Sequence, residues 1–337
     1  MRNLIIDRTS MVRVLRVFLF FTCVVFFSHA PLSGQERAWS IVDAKGSYTP
    51  RVGNGFMACK GQFYLFGGIG SRSMDVFDPE TDTWTRGPDL PVNMHHFQAV
   101  RLGDEIFVLG AFTGDPPGEN VLEDIFIFST TTSQWRKGDP FPDNRLRACC
   151  GVVAFKDMIY MIGGRRNNGE SCNWVDRYDP ATGQWKILRA APSNREYFHA
   201  AICNGKIYAA GGQNNLRSDM SITVEPVPEV DVYSIGSNRW NTLPAKLSLP
   251  TPRAGCGTVV IFDHLLVMGG ETPGDGEVHE IVEAFDVHQE KWGRWDNLNR
   301  GRTGTQAFMC VGTVFFAGGN SGPEGGGLHS TLEMLGY

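Results

Sequence analysis

The chain has 337 residues, of which 40 are glycine and 20% are charged. That length could hold two average domains or one large repeat fold, and the glycine content suits many short strands joined by tight turns. The formal net charge of −5 gives no general reason to bind nucleic acid or an anionic membrane surface, so neither is expected as a partner.

The first segment, residues 1–35, has the pattern of an export signal. Two arginines precede an apolar run over 17–27, and small residues follow up to Gly34. The run is shorter than the roughly 20 apolar residues of a spanning helix, so no stable transmembrane span is expected. We predict a signal peptide and an exported protein, secreted or periplasmic. An uncleaved signal anchor is the alternative, and Met11 is a candidate for the true start.

From residue 36 onwards, a unit of about 50 residues recurs six times. Each unit contains a short apolar run that ends in a glycine pair, and these pairs are Gly67-Gly68, Gly163-Gly164, Gly211-Gly212, Gly269-Gly270 and Gly318-Gly319, with Gly110-Ala111 as the imperfect copy. In five units a tryptophan follows an aromatic residue by seven positions, in the pairs Phe77 and Trp84, Phe128 and Trp135, Tyr178 and Trp185, Tyr233 and Trp240, and Phe285 and Trp292.

Glycine pair, aromatic-acidic strand and spaced tryptophan together resemble the kelch repeat, over nearly all of the chain after about Trp39. The resemblance implies an all-β, six-bladed β-propeller that fills 36–337 as a single domain, with four antiparallel strands, A to D, in each blade. The last unit reaches Tyr337 without a tryptophan of its own, whereas Trp39 precedes the first strand A. We therefore predict that the N-terminal strand completes the last blade and closes the ring.

Length variation is concentrated between strands B and C. From the second residue of the glycine pair to the strand C aromatic residue, the distance ranges from 9 residues in blade 1 to 21 in blade 4. In a four-stranded meander, the B-to-C loops share one face with the D-to-A loops. Variable loops on a rigid scaffold usually carry binding, so this loop-bearing face is the predicted functional face.

An arginine lies sixteen residues before five of the glycine pairs, at Arg51, Arg147, Arg195, Arg253 and Arg302. These arginines could ring the channel mouth and hold an anion, as kelch relatives hold acidic peptides. An acid recurs in strand C of the same blades, at Asp75, Asp176, Asp231, Glu283 and Glu333, and blade 2 lacks both, with Met94 and Phe126 instead. Because arginine and acid are lost together, pairing within the blades is the favoured interpretation.

Positions that break the repeat are the better site candidates. Two residues after each arginine position come Gly53, His96, Cys149, Tyr197, Gly255 and Gly304, so blades 2 to 4 form one sector with side chains. We predict a site for a protein or glycan ligand, with a carboxylated ligand as one form, and the residues predicted to bind it are His95, His96, Arg165, Arg166, Tyr197 and Asn214, with Arg147 and Arg195. A monomer without cofactor or metal is expected, and Cys149 and Cys150 are expected to be reduced rather than disulfide-bonded.

An enzyme is the alternative function. The kelch resemblance extends more distantly to sialic acid mutarotases and to propellers like galactose oxidase. A mutarotase needs a general acid and a general base beside a sugar, and the candidates are Glu196, Tyr197 and His199. No nucleophile elbow, phosphate loop or metal signature is recognisable, so a binding module is favoured over an enzyme.

Overall fold

Six four-stranded antiparallel sheets account for nearly all of the regular structure. The coordinates are a computed structural model, and they describe residues 38–218, 221–274, 276–322 and 327–336. The predicted signal peptide, residues 1–35, lies outside the described residues. No helix in the described ranges is long and apolar enough to cross a membrane.

Each sheet is a meander of consecutive strands. Blade 1 contains β2 (Asn54–Cys59), β3 (Gln62–Gly67), β4 (Met74–Asp78) and β5 (Thr83–Arg86). Blade 2 contains β6 (Val100–Leu102), β7 (Glu105–Val108), β10 (Asp124–Ser129) and β11 (Gln134–Pro140). Blade 3 contains β12 (Gly151–Phe155), β13 (Met158–Ile162), β14 (Val175–Asp179) and β15 (Gln184–Ile187).

The second half repeats this order. Blade 4 contains β16 (Ala200–Cys203), β17 (Lys206–Ala209), β20 (Asp231–Ser234) and β21 (Arg239–Thr242). Blade 5 contains β22 (Gly257–Ile261), β23 (His264–Met268), β24 (Val282–Asp286) and β25 (Lys291–Trp295). Blade 6 contains β26 (Ala307–Cys310), β27 (Thr313–Ala317) and β28 (Leu332–Gly336), and its fourth strand is β1 (Ala38–Ile41).

The predicted ring closure is confirmed. β1 pairs antiparallel with β28, and Trp39 lies opposite Leu335. The indole Nε1 of Trp39 also donates to the backbone oxygen of Asp296 in blade 5, at 3.0 Å. The first strand of the propeller therefore joins its last blade to the blade before it.

The repeated tryptophans explain the seven-residue spacing. Each lies directly opposite its strand C aromatic residue, as Tyr178 lies opposite Trp185 with ring centroids 4.8 Å apart. The Trp185 indole donates to the oxygen of Pro140 in the preceding blade at 3.0 Å, and Trp240 and Trp292 make equivalent bonds. One side chain thus packs within its own blade and forms a hydrogen bond to the preceding blade.

Two short hairpins extend the B-to-C loops on the loop-bearing face. One is β8 (Phe112–Thr113) with β9 (Asn120–Val121) in blade 2, and the other is β18 (Gln213–Arg217) with β19 (Ile222–Pro226) in blade 4. A 3₁₀ turn at Ala245–Leu247 lies between blades 4 and 5. The hydrophobic core is distributed between adjacent blades, as in the cluster that joins Phe56 and Phe63 of blade 1 to Phe308 of blade 6.

The repeat arginines are buried and paired with the strand C acids, as favoured from the sequence. All five are at most 1% exposed. The pairs are Arg51 with Asp75, Arg147 with Asp176, Arg195 with Asp231, Arg253 with Glu283, and Arg302 with Glu333. Contrary to the ligand-binding assignment made from the sequence, Arg147 and Arg195 are enclosed in their blades and do not reach the channel mouth.

Candidate functional site

Six equivalent residues form a closed ring at the channel mouth, which we call the mouth ring. Its members all have φ between +53° and +73°, and they are Gly53, His96, Cys149, Tyr197, Gly255 and Gly304. The backbone N–H of each donates to the carbonyl oxygen of the ring member in the preceding blade, over 2.6 to 3.1 Å. The ring therefore uses the left-handed turn before each strand A to join all six blades.

Glycine in three blades makes room for side chains from the others. A Cβ atom at Gly304 would lie 2.9 Å from the Tyr197 hydroxyl, and one at Gly255 would lie 2.8 Å from the Tyr197 ring. A Cβ atom at Gly53 would lie 3.2 Å from His96 Nδ1. Tyr197 and His96 therefore extend across the mouth over the glycine blades.

The mouth ring lines a small cavity. This cavity has a volume of about 20 Å³ and is also lined by residues such as Cys150, His199 and Cys256. Such a volume holds about one water molecule. That cavity is too small for a sugar or a peptide.

His95 and His96 form a hydrogen-bonded pair whose tautomers follow from the geometry. His95 Nε2 lies 2.9 Å from the oxygen of Gly114, so it carries the proton and donates. Its Nδ1 then accepts from His96 Nδ1 at 2.7 Å, which leaves His96 Nε2 as an acceptor. Burial lowers the pKa of both rings, that of His96 to about 3, so both are neutral at pH 7.

Glu196 is a buried carboxylate, 1% exposed, immediately before Tyr197. Its Oε1 accepts from Gln213 Nε2 at 2.8 Å and from Asn215 Nδ2 at 3.0 Å. Its Oε2 has no hydrogen-bond partner and lies 3.6 Å from Arg165 Nε. Burial raises the pKa of Glu196, and Arg165 opposes that shift. Burial and the neighbouring Glu196 raise the pKa of the Cys149 thiol well above its usual value.

The residue after each glycine pair forms a second tier above the mouth ring. Each residue of this tier forms backbone hydrogen bonds with the residue directly before a mouth-ring member. Arg165 bonds in this way to Ala148, and Glu271 to Ala254. The members of this tier are Ile69, Phe112, Arg165, Gln213, Glu271 and Asn320. One of them, Arg165, is among the ligand-binding residues predicted from the sequence.

The candidate cations Arg165, which belongs to this tier, and Arg166, which follows it, are already paired. Arg165 donates to Glu119 at 2.8 Å, and its guanidinium carbon lies 4.4 Å from the Phe112 ring centroid. Arg166 forms an ion pair with Glu170 and faces the ring of Trp174. Both guanidinium groups are therefore neutralised by acids of the same chain.

Repeat geometry and sequence comparison agree on the family. The KLHDC2/KLHL20/DRC7 Kelch-repeats domain model matches residues 31–191 and 95–319. This chain belongs to the kelch-repeat family.

Curated relatives of this kelch propeller include Kelch-like protein terF of Aspergillus terreus, which is 29% identical over 259 residues, 72% of this chain and 54% of the relative. Kelch-like protein 23 of mouse and of human is 25% identical over 271 residues, 79% of this chain and 45% of the relative. The chain thus spans about half the length of the relatives it matches. The solved structure of YjhT covers 87% of this chain and is itself 96% covered, with a TM-score of 0.71 and 16% identity, which shows the fold alone.

The kelch propeller brings some of the predicted site residues together and separates others. His95, His96 and Tyr197 meet at the mouth, with the His96 and Tyr197 rings 5.3 Å apart. Asn214 lies in the β18–β19 hairpin, with its buried Oδ1 unpartnered. His199 lines the cavity beneath, and burial lowers its pKa to about 4.

Sequence reasoning missed Glu271 of blade 5. Its carboxylate is half-buried and has no ion-pair or hydrogen-bond partner among the described residues, and burial raises its pKa. Burial, and after it the neighbouring Glu271 charge, raises the pKa of Tyr197. The available signal was its position, since Glu271 follows its glycine pair as Arg165 and Gln213 follow theirs. The described residues contain no cluster of three or more His, Cys, Asp or Glu side chains able to hold a metal ion.

Proposed function

We propose that this kelch propeller is an exported recognition module that binds a partner protein through its loop-bearing face. The observation that best supports this proposal is the mouth ring. His96, Cys149 and Tyr197 keep side chains at left-handed positions that cost about 1 kcal/mol or more each. Blades 2 to 4 have these side chains at the ring position, whereas the other three blades have glycine there. Strained side chains of this kind are concentrated at functional sites.

The size of the cavity favours a macromolecular ligand. Because the space beneath the ring holds about one water molecule, a ligand contacts the tops of the loops rather than the channel. The β18–β19 hairpin presents exposed apolar residues on this face, with Leu216 43% and Ile222 49% exposed. Rigid blades that carry variable loops suit protein recognition.

Cysteine chemistry is compatible with the proposed export. The seven cysteines of the described ranges are all free, and six of the seven are buried. Burial raises the pKa of Cys149, Cys150, Cys172 and Cys256. The reactive species is the thiolate, so these thiols are protected from oxidation. Cell fractionation and N-terminal sequencing of the mature protein test export, and recovery with residues 1–35 intact in the cell interior would refute it.

Site-specific photocrosslinking tests the binding face. A photoreactive benzoylphenylalanine replaces Leu216 or Asp115 on the loop-bearing face, or Glu80 or Gln289 in the short C-to-D turns of the opposite face. All four positions are exposed, so each probe can be reached. We expect crosslinked partner from the first two positions only. Crosslinks from Glu80 and Gln289 alone would move the interface to the opposite face.

A sugar mutarotase is the second candidate, favoured by one observation. Glu196, a carboxyl of raised pKa, adjoins the mouth where His96 is a neutral base, and unlike groups of this kind can share acid and base roles. An aldose mutarotation assay of the wild type and of Glu196→Gln tests it. Activity that the variant abolishes would replace the binding-module proposal with an enzyme.

A further inference from the structure

Negative charge is concentrated in the loops between strands B and C. These six segments, residues 69–73, 112–123, 165–174, 213–230, 271–281 and 320–331, contain twelve acidic and four basic residues. Their net charge is −8, against −5 for the whole chain. The five repeat arginines of the neighbouring D-to-A segments are neutralised by the strand C acids, so they do not offset it. The loop-bearing face is therefore strongly anionic.

Hydrogen-bond acceptors are also in surplus there. In the D-to-A and B-to-C loops of blades 2 to 4, as far as the structure describes them, the buried side-chain atoms without a hydrogen-bond partner are four oxygens, from Asn93, Glu119, Glu196 and Asn214, and three nitrogens, from Arg166, Arg195 and His199. Glu196 is almost fully buried, and its Oε2 is held by the Arg165 ion pair at 3.6 Å without a direct hydrogen bond. A buried polar atom left unpaired costs about 1–3 kcal/mol, so a ligand that supplies donors gains by binding here.

The donors of the same sector are already engaged. Arg165 is held between Glu119 and Glu196, and Gln213 and Asn215 both donate to Glu196. Little donor capacity remains for a carboxylated ligand, which the sequence had suggested. The ligand chemistry indicated by these contacts is the opposite one.

Two accessible acceptors and an aromatic ring complete the site at the mouth. Glu271 contributes a half-buried carboxylate with no ion-pair partner among the described residues, and His96 contributes Nε2 through the tautomer fixed by Gly114. The Tyr197 ring lies against His96 and crosses the mouth. An ammonium or guanidinium group matches carboxylate and aromatic surfaces together.

We propose that the loop-bearing face binds a basic segment of its partner protein, with a lysine or arginine side chain seated at the mouth between Glu271 and Tyr197. This inference rests on the proposed recognition function and specifies its ligand chemistry. The acidic loops attract the segment from solution, and the mouth fixes its position.

Three fluorescein-labelled peptides of twelve residues test the inference by fluorescence anisotropy. They share one neutral background of glycine, serine and leucine, and differ in carrying four lysines, four acetyl-lysines or four glutamates. We expect the lysine peptide to bind the purified protein at least about tenfold more tightly than the acetyl-lysine peptide, as loss of a charge-assisted hydrogen bond implies. Binding should weaken as salt rises.

Matched variants locate the cation. Glu271→Gln removes the carboxylate charge with little change of shape, and we expect it to weaken the lysine peptide about tenfold. Glu80→Gln makes the same change of charge on the opposite face, and we expect binding within about twofold of wild type. The Glu271 carboxylate has no ion-pair or hydrogen-bond partner among the described residues, so its variant should keep the wild-type melting temperature.

Several outcomes would overturn the proposal. These are tighter binding of the glutamate peptide, equal binding of the acetylated peptide, no effect of Glu271→Gln, or an equal loss with Glu80→Gln, which would indicate general attraction to net charge. Absence of binding by all three peptides up to about 1 mM also counts against it. Crosslinks from Leu216 and Asp115 to neutral or acidic partner segments would refute the basic ligand and leave recognition by the loop-bearing face intact.

Discussion

The Arg253–Glu283 pair offers a direct test of what the repeat arginines do. Arg253 is fully buried and donates to Glu283 at 2.6 Å. It also donates to the carbonyl oxygens of Gly269, Thr251 and Val267, at 2.6 to 2.8 Å. One side chain thus ties strand A of blade 5 to strands B and C.

Arg253→Met keeps the apolar volume and removes both the charge and the donors. Glu283 would retain only Thr251 as a partner, through its N–H at 3.3 Å and its hydroxyl at 2.9 Å. Breaking a buried pair in this way typically costs about 3–5 kcal/mol, a large part of an ordinary stability of about 5–15 kcal/mol. Urea unfolding followed by tryptophan fluorescence measures it, because Trp292 packs against Phe285 in the same sheet, with ring centroids 5.2 Å apart.

Blade 2 supplies the matched control. There Met94 and Phe126 stand in the places of arginine and acid, and both are buried in one hydrophobic cluster. The double variant Arg253→Met with Glu283→Phe copies that arrangement, and we expect it to be more stable than Arg253→Met alone. A single variant that costs under about 1 kcal/mol, or a double variant less stable than the single, would refute the account of the pair as a charge that needs its partner.

Three further predictions address the ring, the cavity and the closure. Gly304→Ala, at φ +67° and with its Cβ atom 2.9 Å from the Tyr197 hydroxyl, should cost about 2 kcal/mol in thermal melting, and unchanged melting would contradict the packing of Tyr197 over the glycine blades. Burial lowers the pKa of His199 in the folded protein to about 4, from the ordinary 6.5. As pH falls from 6.5 towards 4, this histidine is protonated in the unfolded chain but not in the folded one, so the free energy of unfolding decreases. Urea titrations at pH 6.5 and 4.5 should therefore show His199→Gln losing about 2 kcal/mol less stability than wild type, and equal losses would exclude this histidine as a source of acid sensitivity. Trp39→Ala removes a buried side chain of the closing strand and should cost about 3–5 kcal/mol and promote aggregation, whereas a fully stable, soluble variant would refute closure by β1.

The fold was predictable because the spacing of the repeated residues corresponds to the pairing of neighbouring strands. The seven-residue spacing of Phe77 and Trp84 corresponds to two residues directly opposite each other across a tight turn, and the absent tryptophan of the last blade identified Trp39 as its substitute. Local spacing of this kind does not depend on how the loops fold. The two hairpins in the B-to-C loops, in contrast, were not predicted.

The site was predictable in position and less so in chemistry. The mouth ring follows from counting two residues past each arginine, and it contains His96 and Tyr197 as expected. The state of Arg165 could not be read in the same way, because Glu119 comes from a different blade, 46 residues away, and only the folded loop brings it to 2.8 Å. Glu271 was not predicted, because blade 5 keeps glycine at the ring position, Gly255, and so does not break the repeat there.

The pairing of β1 with β28 also determines how the ring responds to force. Ala38 lies opposite Gly336, so the two ends of the propeller meet at the same end of one antiparallel ladder. Tension applied at those two residues loads the interstrand bonds one after another, as in opening a zipper, instead of shearing them together. Blade 6 would then open while the remaining blades carry no load. The β1–β28 pairing is therefore mechanically weak when the propeller is pulled by its two ends. Pulling by one end and a distant loop would require a much larger force.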